Sequence, residues 1–331
     1  MTIMESRPLG QSGISLGTLG FGGGPVGWRS TPEVESEVDA LLDAAWQGGI
    51  RFFDTAPYYG FGKSERRIGR CLAAQKRSDF VLSTKVGRLI RPEAATGPRK
   101  EPILYDYSRD GVLRSIDESL GRLGLDRIDI VLVHDIDGWT HGADQPARLR
   151  QALDGAGPAL IDLKAQGVIR AIGLGVNEWQ VCVDFVRALP VDCVLLAGRH
   201  SLLQQEAARQ FVPFCKDRGI GLIIGGPYNS GILASGPTDG ALYDYGPAGP
   251  EILAKVRQIT EICARHDVPL GAAALAFVLR APPVASVIPG VATVAEMDAT
   301  FANVRTPIPV ALWAELADRG FIEKIREAGL Q

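Results

Sequence analysis

The segment IDIVLVHD, residues 128–135, is an apolar run that ends in a histidine and an aspartate. A nearly unbroken apolar run is typical of a parallel strand that is covered on both faces, whereas a half-solvated antiparallel strand alternates apolar and polar residues. Similar runs recur along the chain: LGTLGFGG from 16, IRFFDTA from 50, FVLSTKV from 80, VIRAIGLGV from 168, DCVLLAG from 192, IGLIIGGP from 220 and VASVIPGV from 284. The sequence therefore contains eight candidate strands.

Helical patterns separate these runs. Residues 109–124 repeat leucine and isoleucine at spacings of three and four and stop at Gly124, and another pattern opens at Thr31-Pro32 and ends at Gly48-Gly49. Eight alternations of strand and helix predict a (β/α)8 TIM barrel, a single domain over residues 1–331, with an N-terminal β-hairpin. Long Gly/Pro-rich loops at 88–108 and 234–250 are expected over its C-terminal face. A doubly wound open sheet is the alternative.

Composition limits the function classes. A chain of 331 residues with 46% hydrophobic residues is globular, and a net charge of -3 without a basic block argues against nucleic acid as a partner. The N-terminus lacks a signal-peptide pattern and no apolar run is long enough to span a bilayer, which predicts a cytoplasmic protein without a membrane partner. Five scattered cysteines without a CxxC pair indicate reduced thiols, and four histidines without HxxxH spacing argue against a metal site.

Polar residues end three consecutive candidate strands: Asp54, Lys85 and His134, with Tyr58 and Tyr59 just after the first of them. In a barrel, the C-terminal ends of the strands face the active site. Singly, each residue also has a structural explanation, as a turn residue, a packing ring, a solvent-seeking lysine or a core histidine. Together, a lysine that lowers the pKa of a phenol, a carboxylate that holds the lysine and a nearby imidazole form a proton-transfer device.

The segments FDTAPYYG, LSTKV and VLVHD resemble the three active-site segments of the aldo-keto reductases, barrel enzymes that move a hydride between a nicotinamide and a carbonyl or alcohol. The resemblance extends from the first candidate strand to the eighth. It implies that Tyr59, directly before the glycine, is the proton donor or acceptor, and that Tyr58 packs or lines the pocket. By the same resemblance, Asp54 and Lys85 tune Tyr59, and His134 orients the substrate oxygen.

For the cofactor, GFGGGPVGW after the first run opens no capped helix, which argues against a Rossmann fingerprint. The segment GGPYNSGIL from 225 resembles the family's loop over the pyrophosphate, and a simple turn is the alternative reading. The family often has an aromatic residue at the position of Gly225, so stacking on the nicotinamide needs Tyr228 or another ring. The predicted cofactor contacts are Asn177, Gly226, Pro227, Tyr228, Asn229, Ser230, Gly231, Pro289, Gly290 and Glu296.

The eighth run leads into VIPGVATVAEMDATF, residues 287–301, which contains no lysine or arginine. NADP-using relatives hold the 2'-phosphate with basic residues there, so NAD is predicted over NADP. Glu296 either accepts hydrogen bonds from the ribose or forms a capping box with Thr293. In both roles its carboxylate would repel a 2'-phosphate.

Three segments, HDID, LLAGRHSLLQQ and GGPYNSGIL, look most like the branch of sugar 1-dehydrogenases acting on D-threo-aldoses such as L-fucose and the similar pyridoxal 4-dehydrogenases. Both oxidise a cyclic hemiacetal to a lactone, which makes a sugar or pyridoxal the expected substrate. The candidate substrate residues are Trp28, Asp135, Asp137, Trp139, Arg199 and His200. An NADPH-dependent aldehyde reductase and a non-catalytic nicotinamide-binding regulatory subunit are the alternatives.

Overall fold

The structure, a computed structural model, describes residues 5–29, 34–91 and 102–323. Its strands, in chain order, are β1 (Ser6–Pro8), β2 (Ser15–Gly17), β3 (Phe21–Gly22), β4 (Phe52–Asp54), β5 (Val81–Val86), β6 (Arg88–Ile90), β7 (Ile103–Tyr105), β8 (Ile130–His134), β9 (Ala171–Val176), β10 (Cys193–Ala197), β11 (Gly221–Gly225), β12 (Leu242–Tyr243), β13 (Gly246–Pro247) and β14 (Val284–Ile288). Eight of them form a parallel sheet in the order β3-β4-β5-β8-β9-β10-β11-β14. Leu19 and Gly22 bridge Val287 and Gly290, so the first barrel strand meets the last. The prediction of a (β/α)8 barrel is confirmed.

Helices surround this sheet. They are α1 (Gly24–Trp28), α2 (Val34–Gln47), α3 (Lys63–Ala73), α4 (Arg109–Leu123), α5 (Gly138–His141), α6 (Gln145–Gln151), α7 (Gly157–Ala165), α8 (Gln180–Ala188), α9 (Glu206–Arg218), α10 (Ile232–Ser235), α11 (Pro250–Arg265), α12 (Leu270–Leu279), α13 (Val294–Arg305) and α14 (Val310–Asp318). The predicted helix at 109–124 is α4, capped by the Ser108 hydroxyl and ended by Gly124 at φ 63°. The predicted start of α2 at Thr31-Pro32 lies outside the described residues.

The first apolar run divides between two structures. Its first two residues, Leu16 and Gly17, belong to β2, which pairs antiparallel with β1 in the N-terminal hairpin, and only Phe21–Gly22 forms the barrel strand. Leu9, Ile14 and Leu16 of the hairpin are buried in one cluster with the side chains inside the barrel. Apolarity alone did not distinguish the residues that plug the barrel from those that form its wall, because both are buried.

Alternation along the strands decides which side chains enter the barrel, since successive residues of a strand point to opposite faces. On β8, Ile130 and Leu132 belong to the inner cluster, whereas Val131 and Val133 pack outward against the helices. The next inward position on that strand is His134. The polar residues at the strand ends therefore continue the inward-facing rows of the core.

The two predicted long loops contain short hairpins. β6 pairs with β7 after the third barrel strand, and β12 pairs with β13 after the seventh. Residues 92–101 of the first loop lie outside the described part of the chain. Within the described ranges, no single helix has both the length and the apolar character to cross a bilayer, and α11 and α12, which meet at 94°, satisfy these criteria only as a bent pair.

Candidate active site

A buried ion pair lies at the mouth of the barrel. Lys85 Nζ donates hydrogen bonds to Asp54 Oδ2 at 2.7 Å and to the carbonyl oxygen of Thr55 at 2.9 Å. Ser83 Oγ donates to the other carboxylate oxygen of Asp54 at 2.7 Å. Burial by itself lowers the pKa of Lys85, but the Asp54 carboxylate and the Tyr59 phenol outweigh burial and raise it. The lysine is therefore held as a cation beside the tyrosine.

Tyr59 completes this group with His134. Lys85 Nζ lies 4.7 Å from the centroid of the Tyr59 ring, and the rings of Tyr59 and His134 are 6.0 Å apart at 89°. The following glycine is required by the packing, because Gly60 has φ 60° and a Cβ there would lie 1.8 Å from the carbonyl oxygen of Gly27. This close approach to α1 holds the tyrosine loop over the strand ends.

The pKa of Tyr59 departs from the sequence-based expectation. Burial raises its pKa to about 12, although the Lys85 cation acts in the opposite direction. The sequence argument included the attraction of the lysine, which does lower the pKa of Tyr59, and left out the loss of hydration, which raises that pKa by more. Tyr59 is a phenol, rather than a phenolate, at neutral pH.

His134 is neutral, and its tautomer follows from its neighbours. Burial lowers the pKa of the imidazole well below its usual range, helped by the positive charges of Arg88 and Lys85. Its Nδ1 is buried without a hydrogen-bond partner among the described residues, and its Nε2 lies 3.4 Å from Asp135 Oδ2. A lone pair on Nε2 would face the carboxylate, so we assign the hydrogen to Nε2. In this tautomer, Nε2 is a donor toward the mouth.

Arg88 is a site residue that the sequence analysis missed. Its Nη2 pairs with Asp135 Oδ2 at 2.7 Å, with side-chain exposures of only 7% and 14%. The guanidinium also lies over the rings of Tyr58 and Tyr105, at 4.5 Å and 5.5 Å. Burial raises the pKa of Asp135 to about 6, against the attraction of Arg88. The feature of the sequence that could have predicted this site residue is its position, two residues after the end of the third barrel strand.

The predicted substrate residues occupy different places. Trp28 is 49% exposed and packs edge-on against Tyr58, with centroids 5.4 Å apart. Trp139 is 54% exposed beneath the guanidinium of Arg199, which lies 5.4 Å from its ring. Together with Asp135, these three residues lie around the mouth.

Two other predicted substrate residues point elsewhere. Asp137 is buried and accepts hydrogen bonds from the amides of Thr140 and Asn177 at 3.1 Å and 2.8 Å, so its carboxylate caps α5 and anchors the β9 loop. His200 is buried with its ring 5.6 Å from Phe277 of α12. Burial lowers the pKa of His200 to about 4, which keeps it neutral. Packing against an outer helix, rather than the mouth, accounts for the placement of His200.

Comparison with known proteins agrees with this geometry. Residues 14–318 match the Aldo/keto reductase family. The chain belongs to this family. It is 40% identical to a pyridoxal 4-dehydrogenase from Microbacterium luteolum, over 96% of this chain and 98% of the relative. It is 38% identical to a D-threo-aldose 1-dehydrogenase from Pseudomonas sp, over 94% and 96% of the two chains.

Among solved structures, the fold is similar to that of an aldo-keto reductase from Bacillus halodurans in its holo form. The TM-score is 0.78 at 24% identity, over 95% of this chain and 96% of the other. As an aldo-keto reductase with named dehydrogenases among its relatives, the protein is an NAD(P)-dependent oxidoreductase.

The loop after β11, predicted to contact the cofactor, exposes only a few of its residues. Asn229, Ser230 and Gly231 have φ values of 45°, 60° and 99°, which turn the chain tightly. Asn229 accepts from Ser201 Oγ and donates to the carbonyl oxygen of Gly198 at 3.0 Å, so its amide is directed into the protein. Gly226 and Ser230 are exposed and Gly231 is partly exposed. These three residues form the exposed surface of the loop.

Tyr228 does not replace the ring that is missing at Gly225. It is 8% exposed, and Asn303 Nδ2 in α13 donates to its hydroxyl at 3.4 Å. Pro227 is buried beside it. Both side chains therefore anchor the loop to the protein interior, because they pack inward rather than toward the mouth.

The start of α13 is polar and carries an unexpected cation. Glu296 Oε2 accepts from the amide of Ala292 at 2.7 Å, and the Glu296 amide donates to Thr293 Oγ1 at 3.2 Å. This capping arrangement reaches the amide one residue before the cap. Arg29, at the end of α1, donates to the carbonyl oxygen of Ala292 at 2.7 Å and pairs with Glu37. The sequence around β14 could not reveal this arginine.

The remaining predicted cofactor contacts lie at the seam of the barrel and on β9. The carbonyl oxygen of Pro289 accepts from the amide of Gly22 at 3.3 Å, which closes the barrel, and Gly290 is exposed beyond it. The Asn177 side chain lies beside the phenol of Tyr245 and acts to lower the pKa of that phenol. Asn177 and Gly290 thus remain candidates for cofactor contact, whereas Pro289 is a structural residue.

Proposed function

We propose that this aldo-keto reductase oxidises a sugar hemiacetal at C1 to a lactone, with NAD as the hydride acceptor. The observation that carries the proposal is the Arg88–Asp135 pair, which is buried beside His134 at the mouth. A carboxylate and a guanidinium provide acceptors and donors for several hydroxyl groups at once. Trp28 and Tyr58 add an aromatic wall for the apolar face of a sugar ring.

The proposed chemistry divides between three side chains. Tyr59 acts in its phenolate form, which it reaches by losing the phenol proton to solvent beforehand, because the phenol predominates at neutral pH. The phenolate then takes the proton of the anomeric hydroxyl, while His134 Nε2 donates a hydrogen bond to the same oxygen. The C1–H bond breaks with both electrons leaving as hydride, and the C1–O bond becomes the lactone carbonyl. NAD, when bound, accepts that hydride. Lys85 stabilises the negative charge that the Tyr59 oxygen carries before it receives the proton.

The preference for NAD is supported by the charges at the start of α13. Glu296 lies exposed at the helix start, and Arg29 is already paired with Glu37. A 2'-phosphate at this position would meet the Glu296 carboxylate, which has no cationic partner among the described residues, and residues 287–301 contain no arginine or lysine to offset that charge. The hydroxyls of an unphosphorylated ribose fit this surface without that repulsion.

Pyridoxal is the second candidate substrate. The pyridoxal 4-dehydrogenase relative is 40% identical to this chain, and the rings of Trp28 and Tyr58 suit a flat pyridine as well as a sugar. Asp135 and Arg88 would then face its phenolic hydroxyl. The two candidates share the same catalytic group and differ in how many hydroxyls the pocket must satisfy.

The test is the initial rate of NADH or NADPH formation with L-fucose and with pyridoxal, each with NAD and with NADP. We expect oxidation of L-fucose with NAD to be fastest, and Tyr59→Phe to lower kcat about 10²- to 10⁴-fold, the usual contribution of a general base. Tyr58→Phe is the matched control and retains turnover. Faster reduction of simple aldehydes with NADPH, or undiminished activity in Tyr59→Phe, would contradict the proposal.

A further inference from the structure

The turn between β12 and β13 lies across the ends of three barrel strands. The Tyr245 amide donates to Ser230 Oγ, after β11, at 2.9 Å. The Asp244 carboxylate pairs with Arg199, after β10, at 2.6 Å. The Tyr245 phenol lies beside the Asn177 side chain, after β9, which acts to lower the pKa of that phenol. The two turn residues are thus held over the mouth by three separate contacts.

The backbone of this turn does not favour a tyrosine. Asp244 and Tyr245 have φ values of 51° and 65°, the left-handed conformations of a two-residue hairpin turn. Asparagine, aspartate and glycine suit these positions, whereas a large side chain with a Cβ is unfavourable in the second. The Tyr245 residue is also 67% exposed, so core packing does not account for its ring. Neither the turn nor the core explains why a tyrosine occurs here.

Its position relative to the other exposed rings suggests a role. The exposed aromatic residues among the described ones all follow C-terminal ends of barrel strands: Trp28, Phe61, Trp139 and Tyr245. In the strand order, β3, which precedes Trp28, lies opposite β9, and Asn177, which follows β9, lies beside the Tyr245 phenol. Two exposed rings therefore approach the mouth from opposite sides, with Tyr59 and His134 at its base.

We propose that Tyr245 is a specificity-determining residue, whose ring forms the wall of the substrate pocket opposite Trp28 and stacks on the six-membered ring of the hemiacetal substrate. This inference rests on the proposed function. The Arg199–Asp244 pair and the Ser230 hydrogen bond hold the turn so that the ring is in place before the substrate binds. The wall contributes to binding and leaves the proton and hydride transfers to the residues below it.

The decisive variant is Tyr245→Gly, because glycine adopts the φ of this position freely and preserves the turn. We expect KM for the hemiacetal substrate to rise about tenfold, as for the loss of an aromatic stacking partner, with kcat within about twofold. The Kd of NADH, measured by fluorescence titration, is expected to be unchanged. The Tm is expected to be unchanged or slightly higher. Tyr245→Phe keeps the ring, so its KM for the substrate is expected to stay close to that of the wild-type enzyme. Leu242→Ala, on the same hairpin, is the control and should change neither the KM for the substrate nor the Kd of NADH.

The outcomes separate this inference from the proposed function. An unchanged KM in folded Tyr245→Gly would overturn the stacking wall while leaving the proposed function intact. A weaker Kd for NADH in that variant would overturn the substrate assignment in favour of a cofactor contact. Absence of turnover of both L-fucose and pyridoxal by the wild-type enzyme would overturn both proposals. Where turnover is found, the substrate whose KM rises identifies the ring as a sugar or a pyridine.

Discussion

Two buried ion pairs lie on opposite sides of the third barrel strand, and their surroundings differ. Lys85 points into the barrel and pairs with Asp54, whereas Thr84, one residue earlier, points outward and donates to Glu65 Oε1 at 2.8 Å. Glu65 in α3 also pairs with Arg122 in α4, at 2.5 Å, and is fully buried. The inner pair adjoins Tyr59 and His134 at an open mouth, while the outer pair is enclosed between two helices and the strand.

The difference shows that burial of charge does not by itself indicate catalysis. Both pairs are desolvated and hydrogen-bonded. In both, each charged group stays stable in the interior only while its oppositely charged partner is present. Only the inner pair touches a group that can exchange a proton with a ligand, the Tyr59 phenol. The outer pair joins α3 and α4 to β5, which is a structural function. Four experiments test whether the two faces differ in function.

Removing the cation from each pair gives the largest contrast. Lys85→Met and Arg122→Met each leave a buried carboxylate unpaired, so each should lower the free energy of unfolding by about 3–5 kcal/mol in urea titrations. Only Lys85→Met should also lower kcat, by about 10²-fold or more, because Tyr59 loses its electrostatic partner.

A double variant separates stability from chemistry on the inner face. Asp54→Asn combined with Lys85→Met removes both charges, and should recover part of the lost stability without recovering turnover. A large loss of kcat per folded molecule in Arg122→Met, or near wild-type kcat in Lys85→Met, would mean that the two faces are not functionally distinct.

The pH dependence of kcat tests whether Asp135, which adjoins the inner ion pair, contributes to turnover. Burial raises the pKa of Asp135 to about 6. Below that pH the carboxyl is protonated and no longer sets His134 as the Nε2–H donor, so kcat should rise as pH increases through about 6. Asp135→Asn should lack this inflection and lose roughly tenfold in kcat at pH 8, as for one hydrogen bond to a charged group. Asparagine also tolerates the φ of 46° at this position.

The inflection must be assigned among the charged groups that face Asp135, which are Arg88, Asp137 and Lys85. Asp137→Asn is the control, since Asp137 caps α5 without contacting His134. If Asp135→Asn retains the inflection near pH 6, another group sets the tautomer of His134 and the present assignment is wrong.

The smallest effects are expected from the two hydroxyls that support the pairs. Ser83 Oγ donates to Asp54 and Thr84 Oγ1 donates to Glu65, at 2.7 Å and 2.8 Å. Ser83→Ala and Thr84→Val should each cost about 1.5–3 kcal/mol of unfolding free energy, because each removes a hydrogen bond to a charged group. Only Ser83→Ala should lower kcat, by less than about tenfold. Equal kcat values for the two variants would argue against a difference between the faces at this level.

Sequence reasoning was most successful for residues placed by strands. Asp54, Lys85 and His134 were predicted together because each ends an apolar run, and the structure brings all three to one mouth. Sequence reasoning was weakest for groups that arrive from other parts of the chain. Arg88 and Tyr245 come from hairpins in loops, where no periodicity constrains the direction of a side chain.

The sequence by itself determined the barrel through its eight alternations of strand and helix, and it indicated the family through the resemblance of three motif segments. It also determined the identity of the residues at the strand ends, because the period-two geometry of a strand relates position to direction. Only the tertiary structure decided which of the glycine-loop residues face outward, that Arg29 reaches the start of α13, and that burial outweighs Lys85 in setting the pKa of Tyr59. These properties depend on distances between segments far apart in the chain and on the exclusion of water, and neither is encoded in local spacing.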